Sequence, residues 1–591
     1  MITRPKHIKT MFCQLVMAIC LPLLSSCNLG VLDGGVFEYR AVHLPENLRG
    51  ECEDLKLDNV DNDWGLWGHN LGAVLTGKVP DRVYALHDGF RDKDQFCFSS
   101  EDLYHFIEQY VIDNYGERGG TRFAILPSDN SIVCQCSTCQ RLGNTPKDAT
   151  PAVCYMVGRL CERFPKHYFF TSYYSTTRNL PEKPLPANGG VLVSAMDYPL
   201  GAIDNKIEAG FIELLRLWSA KSEHVYVWDY INNFDDYFTP FPQISIMQHR
   251  LSKYADAGVA GVFLNGSGPE YCTMSGMKCY ILAQLLRDPR QEWTKLLDDY
   301  CAKYYPTTGD IIASFIRKQE AWTEQRRKVL PIYGGITSAL NTYLPEDDFV
   351  DFHNKLLLLL PQTLNDEHKR VANLCNAMAF TRLELMRQNA QTADARHMLQ
   401  KLSECPKQGL KVYSESCWTV ESYIDDYTFM LSHSDRIKTA NLMLGCPIQA
   451  LSPLDEEYTD LSILTDGLIG LPSNYHCGHM ISSEGKMLRL AFTPPPGMRM
   501  VRVCLSRNVL FRLDFPSRVN LIVGGRSVAH AVPQPLNSAL SLAFVDLPIP
   551  AGTKGQVELQ LVRDDESVRG FAVDEIEGFT QITRVPRQGM Y

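Results

Sequence analysis

Positive charge is in short supply: 58 Lys and Arg stand against 68 Asp and Glu, a formal net charge of −10 over 591 residues. The first 26 residues hold Arg4, Lys6 and Lys9 and no acid, so without those three charges the remainder stands at −13. A surface of this sign repels polyanions, which excludes nucleic acid as a partner. Also missing is a glycine-rich phosphate loop after the first strand-like segment, which speaks against an open nucleotide-binding sheet. No cysteine stands in a recognisable Cys–His protease signature. No tryptophan follows Trp418, so the last part of the chain lacks the ring most often used to stack on sugar.

What is present begins with an N-terminal export signal. Basic residues up to Lys9 precede an apolar run from Met11 to Leu24, too short for a permanent spanning helix and ending in small residues. We read 1–26 as a signal peptide. Leu24-Ser25-Ser26-Cys27 is similar to a bacterial lipobox, in which Cys27 is acylated and becomes the first residue. The expectation is an exported protein, lipid-anchored to the bacterial cell envelope at the outer membrane, on its periplasmic or surface face.

Nineteen cysteines are many for an exported chain, and sixteen remain once Cys13, Cys20 and Cys27 are set aside. Scattered ones such as Cys301, Cys375 and Cys504 suit small buried hydrophobes. Cys134, Cys136 and Cys139 differ, because C-x-C-x-x-C in a polar loop brings three sulfurs together. Three arrangements fit: a disulfide plus a free thiol, a loop staple, or a structural zinc whose fourth donor the sequence does not name. No cofactor for catalysis is expected.

From residue 36 to about 305, strand-like and helix-like segments alternate. The strand candidates are Phe37–His43, an irregular piece near Trp64–Leu75, Val83–His87, Thr121–Leu126, Tyr168–Ser172, Gly190–Ala195, Val225–Trp228 and Val259–Leu264. Helical patterns lie at Glu101–Tyr115, Pro151–Arg163, Ile207–Ser219, Ile244–Ala257 and Met274–Leu286. Repeated strand-then-helix units call for a parallel sheet, and the count fits a (β/α)8 TIM-like barrel. An open doubly wound sheet is the competing arrangement. Residues 306–440 form a helical region with Pro345, Pro361 and Pro406 as stops, its Leu356–Leu360 run read as core. Residues 441–591 show short strands and turn signals, the pattern of a β-sandwich.

In a barrel the chemistry sits at the C-terminal strand ends. Polar and aromatic residues recur there: Trp67, His69 and Asn70; Asp88 and Arg91; Asp129 and Asn130; Tyr173; Asp197; Trp228, Asp229, Tyr230, Asn232 and Asn233; Asn265 and Glu270. Amides and carboxylates between aromatic rings suit a sugar, whose hydroxyls take hydrogen bonds while its C–H faces stack. A glycosidase needs two carboxyl groups flanking the scissile bond, or one acid and one orienting carboxylate where a substrate acetamido group attacks. Asp129, Asp229 and Glu270 are the catalytic candidates. The other residues named above are substrate-binding candidates. Asp129 follows the fourth strand by this count, a position that resembles the site of the general acid in many barrel glycosidases. The expected partner is an oligosaccharide or glycoprotein glycan.

The runs PSDN-x-x-V-C-x-C-x-x-C, YVWDY-x-x-NF, GVFLNGSG and LWGHNL together resemble the DUF4838 family of Bacteroidetes. That family is similar to glycoside hydrolase family 163, which implies endo-β-N-acetylglucosaminidase-like action with a retaining or substrate-assisted mechanism over roughly 36–305. The Leu464-Thr465-Asp466-Gly467 turn is similar to discoidin-like, galactose-binding-like modules, which implies a sugar-binding role for the sandwich; a purely structural sandwich fits the residues equally. A surface lipoprotein that binds glycans without cleaving them is the non-enzymatic alternative.

Overall fold

The computed structural model describes residues 35–116, 118–201, 205–455, 458–471, 481–483, 485–508, 512–535, 541–565 and 570–581. Residues 1–26, expected to form a signal peptide, and Cys27, the expected lipidation site, lie outside the described residues. Among those described, no helix is long and apolar enough to cross a membrane. The described residues divide into two compact units, one comprising 35–332 with 339–374, the other 333–338 with those from 375 onward.

The first unit is built on seven parallel strands: Tyr39–His43, Trp64–Leu66, Arg122–Ala124, Tyr168–Tyr173, Gly189–Ser194, His224–Tyr230 and Gly261–Asn265. Each strand lies beside its neighbour in sequence, and the first pairs with the seventh. That order is circular, interrupted only between the first and second strands. Alternate residues of every strand meet in one core: Tyr39, Trp64, Ala124, Phe170, Leu192, Tyr226 and Phe263. Only a sheet curled on itself brings one face of all seven together.

The closed eight-stranded barrel expected from the sequence is therefore corrected to a seven-stranded curled sheet. Val83–His87 is not one of its strands. Tyr84–His87 pairs antiparallel with Phe90–Phe96 in a hairpin that projects from the connection between the second and third strands. Its turn is Asp88-Gly89 with φ of 47° and 86°, the two positive values a two-residue hairpin turn needs. Arg122–Ala124 is consequently the third strand of the sheet, not the fourth.

Helices cover the outer face, and their apolar spacing explains why. Thr150–Arg163 buries Ala152, Val153, Met156, Val157 and Leu160, one stripe at intervals of three and four. Asn205–Ser219, Ile244–Asp256 and Ser275–Arg287 follow the fifth, sixth and seventh strands. Of the Leu356–Leu360 run only Leu356 is buried, and Leu358 is 75% exposed, because a helix turns successive leucines to different sides.

The second unit holds two five-stranded antiparallel sheets. Their inner faces share one apolar core, with Leu490, Leu559 and Leu521 from one sheet meeting Val503, Val545 and Val573 from the other. This is a β-sandwich. The Leu-Thr-Asp-Gly turn is packed inside it: Gly467 N–H donates to the buried Glu575 carboxylate at 3.1 Å, and the Asp466 carboxylate accepts from Leu468 N–H at 2.8 Å.

Two glycines test this packing with opposite signs. A methyl group on Gly261 meets the Tyr226 ring at 2.7 Å and Tyr39 Cβ at 2.8 Å, whereas Gly210, inside the helix Asn205–Ser219, has open space. Gly261→Ala is expected to lower unfolding stability by about 1–3 kcal/mol through overpacking. Gly210→Ala is expected to raise it by roughly 0.5–1 kcal/mol through helix propensity. Urea denaturation of the two variants reads both signs.

Candidate functional site

Strand alternation decides which side chains reach the mouth of the curled sheet. Continuing inward from Tyr226, the sixth strand presents Trp228 and Tyr230, while Val225, Val227 and Asp229 face the helices. The same count turns His43, Ser194 and Asn265 inward at the ends of the first, fifth and seventh strands. His43 and Asn265 stand opposite each other on neighbouring strands, and burial holds the imidazole below its usual pKa.

Trp67 and Trp228 line this mouth, stacked with centroids 4.9 Å apart and planes at 17°. Phe263 packs edge-on against both. His69 approaches from the loop after the second strand. Its Nδ1 lies 2.6 Å from the Pro127 carbonyl, which fixes the N–H on Nδ1, and its ring lies 6.0 Å from Tyr174. Tyr230 OH is 3.3 Å from Ser194 Oγ. Its phenol is pushed upward by burial, with Tyr174 and the carboxylate of Asp129 in electrostatic reach. Asp129 itself is exposed at the end of the third strand. Glu270, half-buried beyond the seventh, has its carboxyl raised by burial and partly offset by Arg49.

Two buried ring nitrogens at this mouth find no protein partner among the described residues: Trp228 Nε1, a donor, and His43 Nδ1. Native interiors rarely leave such groups unmatched except where they face a ligand or solvent.

Several sequence candidates are not in the mouth. Asp229 is fully buried on the helix side, where Arg250 Nη1 reaches both its oxygens at 2.8 and 2.9 Å and Tyr254 OH donates at 2.6 Å. Arg250 also donates to the carbonyls of Tyr198 and Pro199. Asn232 and Asn233 belong to a loop that is buried from Ile231 to Gln243. Lys278 donates to the Asn232 amide oxygen at 3.2 Å, and Asn233 donates to Tyr343 OH at 3.3 Å. Beneath the end of this loop the free space is about 10 Å³, scarcely one water. Asp88 and Arg91 sit on the hairpin, with Arg91 bonded to the Tyr84 carbonyl. Tyr173 points outward onto Trp218, and it is Tyr174 that turns to the mouth. Asp197 pairs at the rim with Arg178, whose guanidinium lies 5.7 Å from the Tyr174 ring centre. Asn70 is exposed at the start of the short 3-10 turn Leu71–Val74.

Asn130 has a fastening task. Its oxygen accepts from Gln95 Nε2 at 3.0 Å and its nitrogen donates to the Asp94 carbonyl at 2.8 Å, which ties the Asp129 loop to the hairpin. Cys134, Cys136 and Cys139 do converge, and Cys97, at the end of that hairpin, joins them. His43, Arg178 and Cys97 do not stand out as site residues in the sequence. Alternation along the first strand was the available signal for His43; Cys97, 37 residues before its nearest partner in the chain, offered none. An open cavity of about 420 Å³ lies away from the mouth, between Lys78, Pro80 and the Asp102–Asp113 side of the helix Glu101–Asn114.

Removing one partner of a buried ion pair leaves the other uncompensated, at a cost of roughly 3–5 kcal/mol. Asp229→Asn is therefore expected to lower unfolding stability on that scale while the folded fraction keeps its turnover. A protein of unchanged urea midpoint and abolished turnover would return Asp229 to the chemistry.

The sequence profile of the domain of unknown function DUF4838 matches residues 75–317. A search of curated proteins finds no significant match. Among solved structures, the chain is similar to a GH138 enzyme targeting pectin rhamnogalacturonan II, with 10% identity and a TM-score of 0.27, covering 80% of this chain and 77% of that one. It is also similar to a putative alpha-L-fucosidase from Bacteroides thetaiotaomicron, at 10% identity and a TM-score of 0.15 over 94% and 91% of the two chains. A third likeness is to the tandem CBM51 modules of a family 98 glycoside hydrolase from Streptococcus pneumoniae, at 10% identity and a TM-score of 0.15 over 24% of this chain and 42% of that one. The structural neighbours thus include glycoside hydrolases and carbohydrate-binding modules, and the matched domain spans the third to seventh strands of the curled sheet.

Proposed function

We propose that this protein hydrolyses O-glycosidic bonds in an oligosaccharide or glycoprotein glycan, bound at the mouth of the seven-stranded sheet. The observation that carries this reading is the Trp67–Trp228 stack beside the buried, unmatched ring nitrogens Trp228 Nε1 and His43 Nδ1. Aromatic faces next to hydrogen-bonding edges complement a sugar ring, which is apolar across its face and polar around its rim. Two carboxyl groups serve the mouth from well-separated strands: Asp129 after the third and Glu270 after the seventh.

Their environments differ in a way that divides the work. Burial favours the protonated form of Glu270 and suits it to donate a proton to the leaving oxygen. Asp129, solvent-exposed beside Tyr230 and Tyr174, serves as the charged partner: a nucleophile, or the carboxylate that orients a substrate acetamido group in an endo-β-N-acetylglucosaminidase-like reaction. His69 and Asn265 bind substrate hydroxyls, and Arg178 holds the rim. The lipobox-like Leu24-Ser25-Ser26-Cys27 supports anchoring of this activity to the cell envelope.

Digestion of a glycan panel read by mass spectrometry tests the activity; binding without any cleaved product would make the protein a glycan receptor instead. Glu270→Gln and Asp129→Asn are each expected to lower kcat by about 10²–10⁴ with the fold intact. Because the acid form of Glu270 is the working one, kcat/KM should fall as pH rises through its elevated pKa. Glu270→Gln should abolish that alkaline limb, a change visible in the pH–rate profile. Cys27→Ala should move the protein from the membrane to the soluble fraction or block its processing; unchanged membrane fractionation would refute the lipid anchor.

A further inference from the structure

The structure assigns a tetrathiolate zinc site to Cys97, Cys134, Cys136 and Cys139. The four sulfurs lie within 4.8 Å of one another. Cys97 Sγ stands 3.7 Å from Cys136 Sγ and 3.8 Å from Cys139 Sγ. Four thiolates at the usual Zn–S distance of about 2.3 Å form a tetrahedron whose edge is roughly 3.8 Å, which these separations match. Two disulfides would instead draw the sulfurs into pairs at about 2.05 Å and separate one pair from the other. Here one sulfur has two neighbours at nearly equal distance, the signature of a common centre.

The backbone around the cluster is arranged for charged sulfur. Leu86 N–H donates to Cys134 Sγ at 3.3 Å, and Cys139 N–H donates to Cys136 Sγ at 3.4 Å. Ser99 Oγ lies 3.1 Å from Cys139 Sγ and 3.5 Å from Cys136 Sγ. Such outer-shell donors orient metal-bound thiolates and spread their charge. Cys97, Cys134 and Cys139 are buried and Cys136 is half-buried, so all four coordination positions are taken by protein and no face is left open for a substrate. The metal is structural. It joins the end of the hairpin Tyr84–Phe96 to the segment that follows Asp129, in series with the Gln95 and Asn130 hydrogen bonds, and so holds the Asp129 loop against the third strand. The site stands independently of the glycan-hydrolase reading, since metal content does not depend on activity.

Elemental analysis of the full chain, purified without chelator and desalted after exposure to zinc(II), is expected to give one zinc per molecule. Cys97→Ser should lose most of it. Because that variant can also fail through misfolding, the wild-type protein supplies two further readings. Exchange of the metal for cobalt(II) should produce the intense visible bands of tetrahedral cobalt thiolate. A chelator strong enough to strip the metal should lower Tm, and added zinc should restore it. Denaturing alkylation without reductant, followed by peptide mass spectrometry, decides against disulfides if all four cysteines are modified once the metal is gone. Less than a tenth of an equivalent of any transition metal, or any of the four cysteines recovered in a disulfide, would overturn the assignment.

Discussion

Everything in the first unit depends on how a seven-stranded sheet ends without closing. The first and second strands share a core but no ladder, so the outer edge of the first strand has to be satisfied by something else. Asp58 does most of it. Its carboxylate accepts from Arg40 N–H at 2.7 Å, its own N–H donates to the Arg40 carbonyl at 2.8 Å, and Asn47 donates to the carbonyls of Val42 and Asp58. Inside, Trp64 Nε1 donates to Tyr39 OH at 2.9 Å and Arg122 lies 4.9 Å from the Tyr39 ring centre, bridging the seam with side chains. An edge left bare at this position would expose backbone donors and acceptors to any pairing strand. The arrangement keeps His43 and Trp67, which stand on either side of the seam, part of one mouth.

The sandwich meets the corresponding problem differently, with two sheets whose apolar faces cover one another. Its deepest polar groups, Asp574, Glu575 and Glu577, are close together on one strand and fully buried, with Ser506, Gly467 and His433 as their respective partners. Burial raises the Asp574 carboxyl to about 7 and lifts that of Glu575 well above the usual carboxylate range. These acids belong to the packing of the module, beside the Leu-Thr-Asp-Gly turn that they help to hold.

Much of the framework was legible because its signals are local. Buried parallel strands read as continuous apolar runs, and the helices over them carry three-and-four spacing within a single segment. What failed was either a two-residue detail or a long-range partner. Asp88-Gly89 is a hairpin signature, yet read as a strand end it shifted the strand count and moved Asp129 from the third position to the fourth. Asp229 stands one residue from Trp228 and one from Tyr230, and its neighbours face the mouth while it faces Arg250; strand periodicity alone separates them. The polar run from Asn232 to Asp236 looked like a ligand-facing loop because its partners, Tyr343 and Lys278, lie 46 to 110 residues further along the chain.

That buried loop bears on where the chain can be divided. Gln319 donates to the carbonyls of Pro240 and Tyr343, Glu320 accepts from Ile244 N–H and Ser245, and Phe234 N–H donates to the Ile332 carbonyl. The helix Gly309–Arg326 and the segment around Tyr343 therefore roof the sixth-strand loop, although they lie beyond the last strand of the sheet. A fragment ending near residue 305, where strand and helix alternation stops, would carry a lid's worth of stripped amides and aromatic rings. The compact unit of this half of the molecule accordingly reaches past its last strand and takes in residues 339–374.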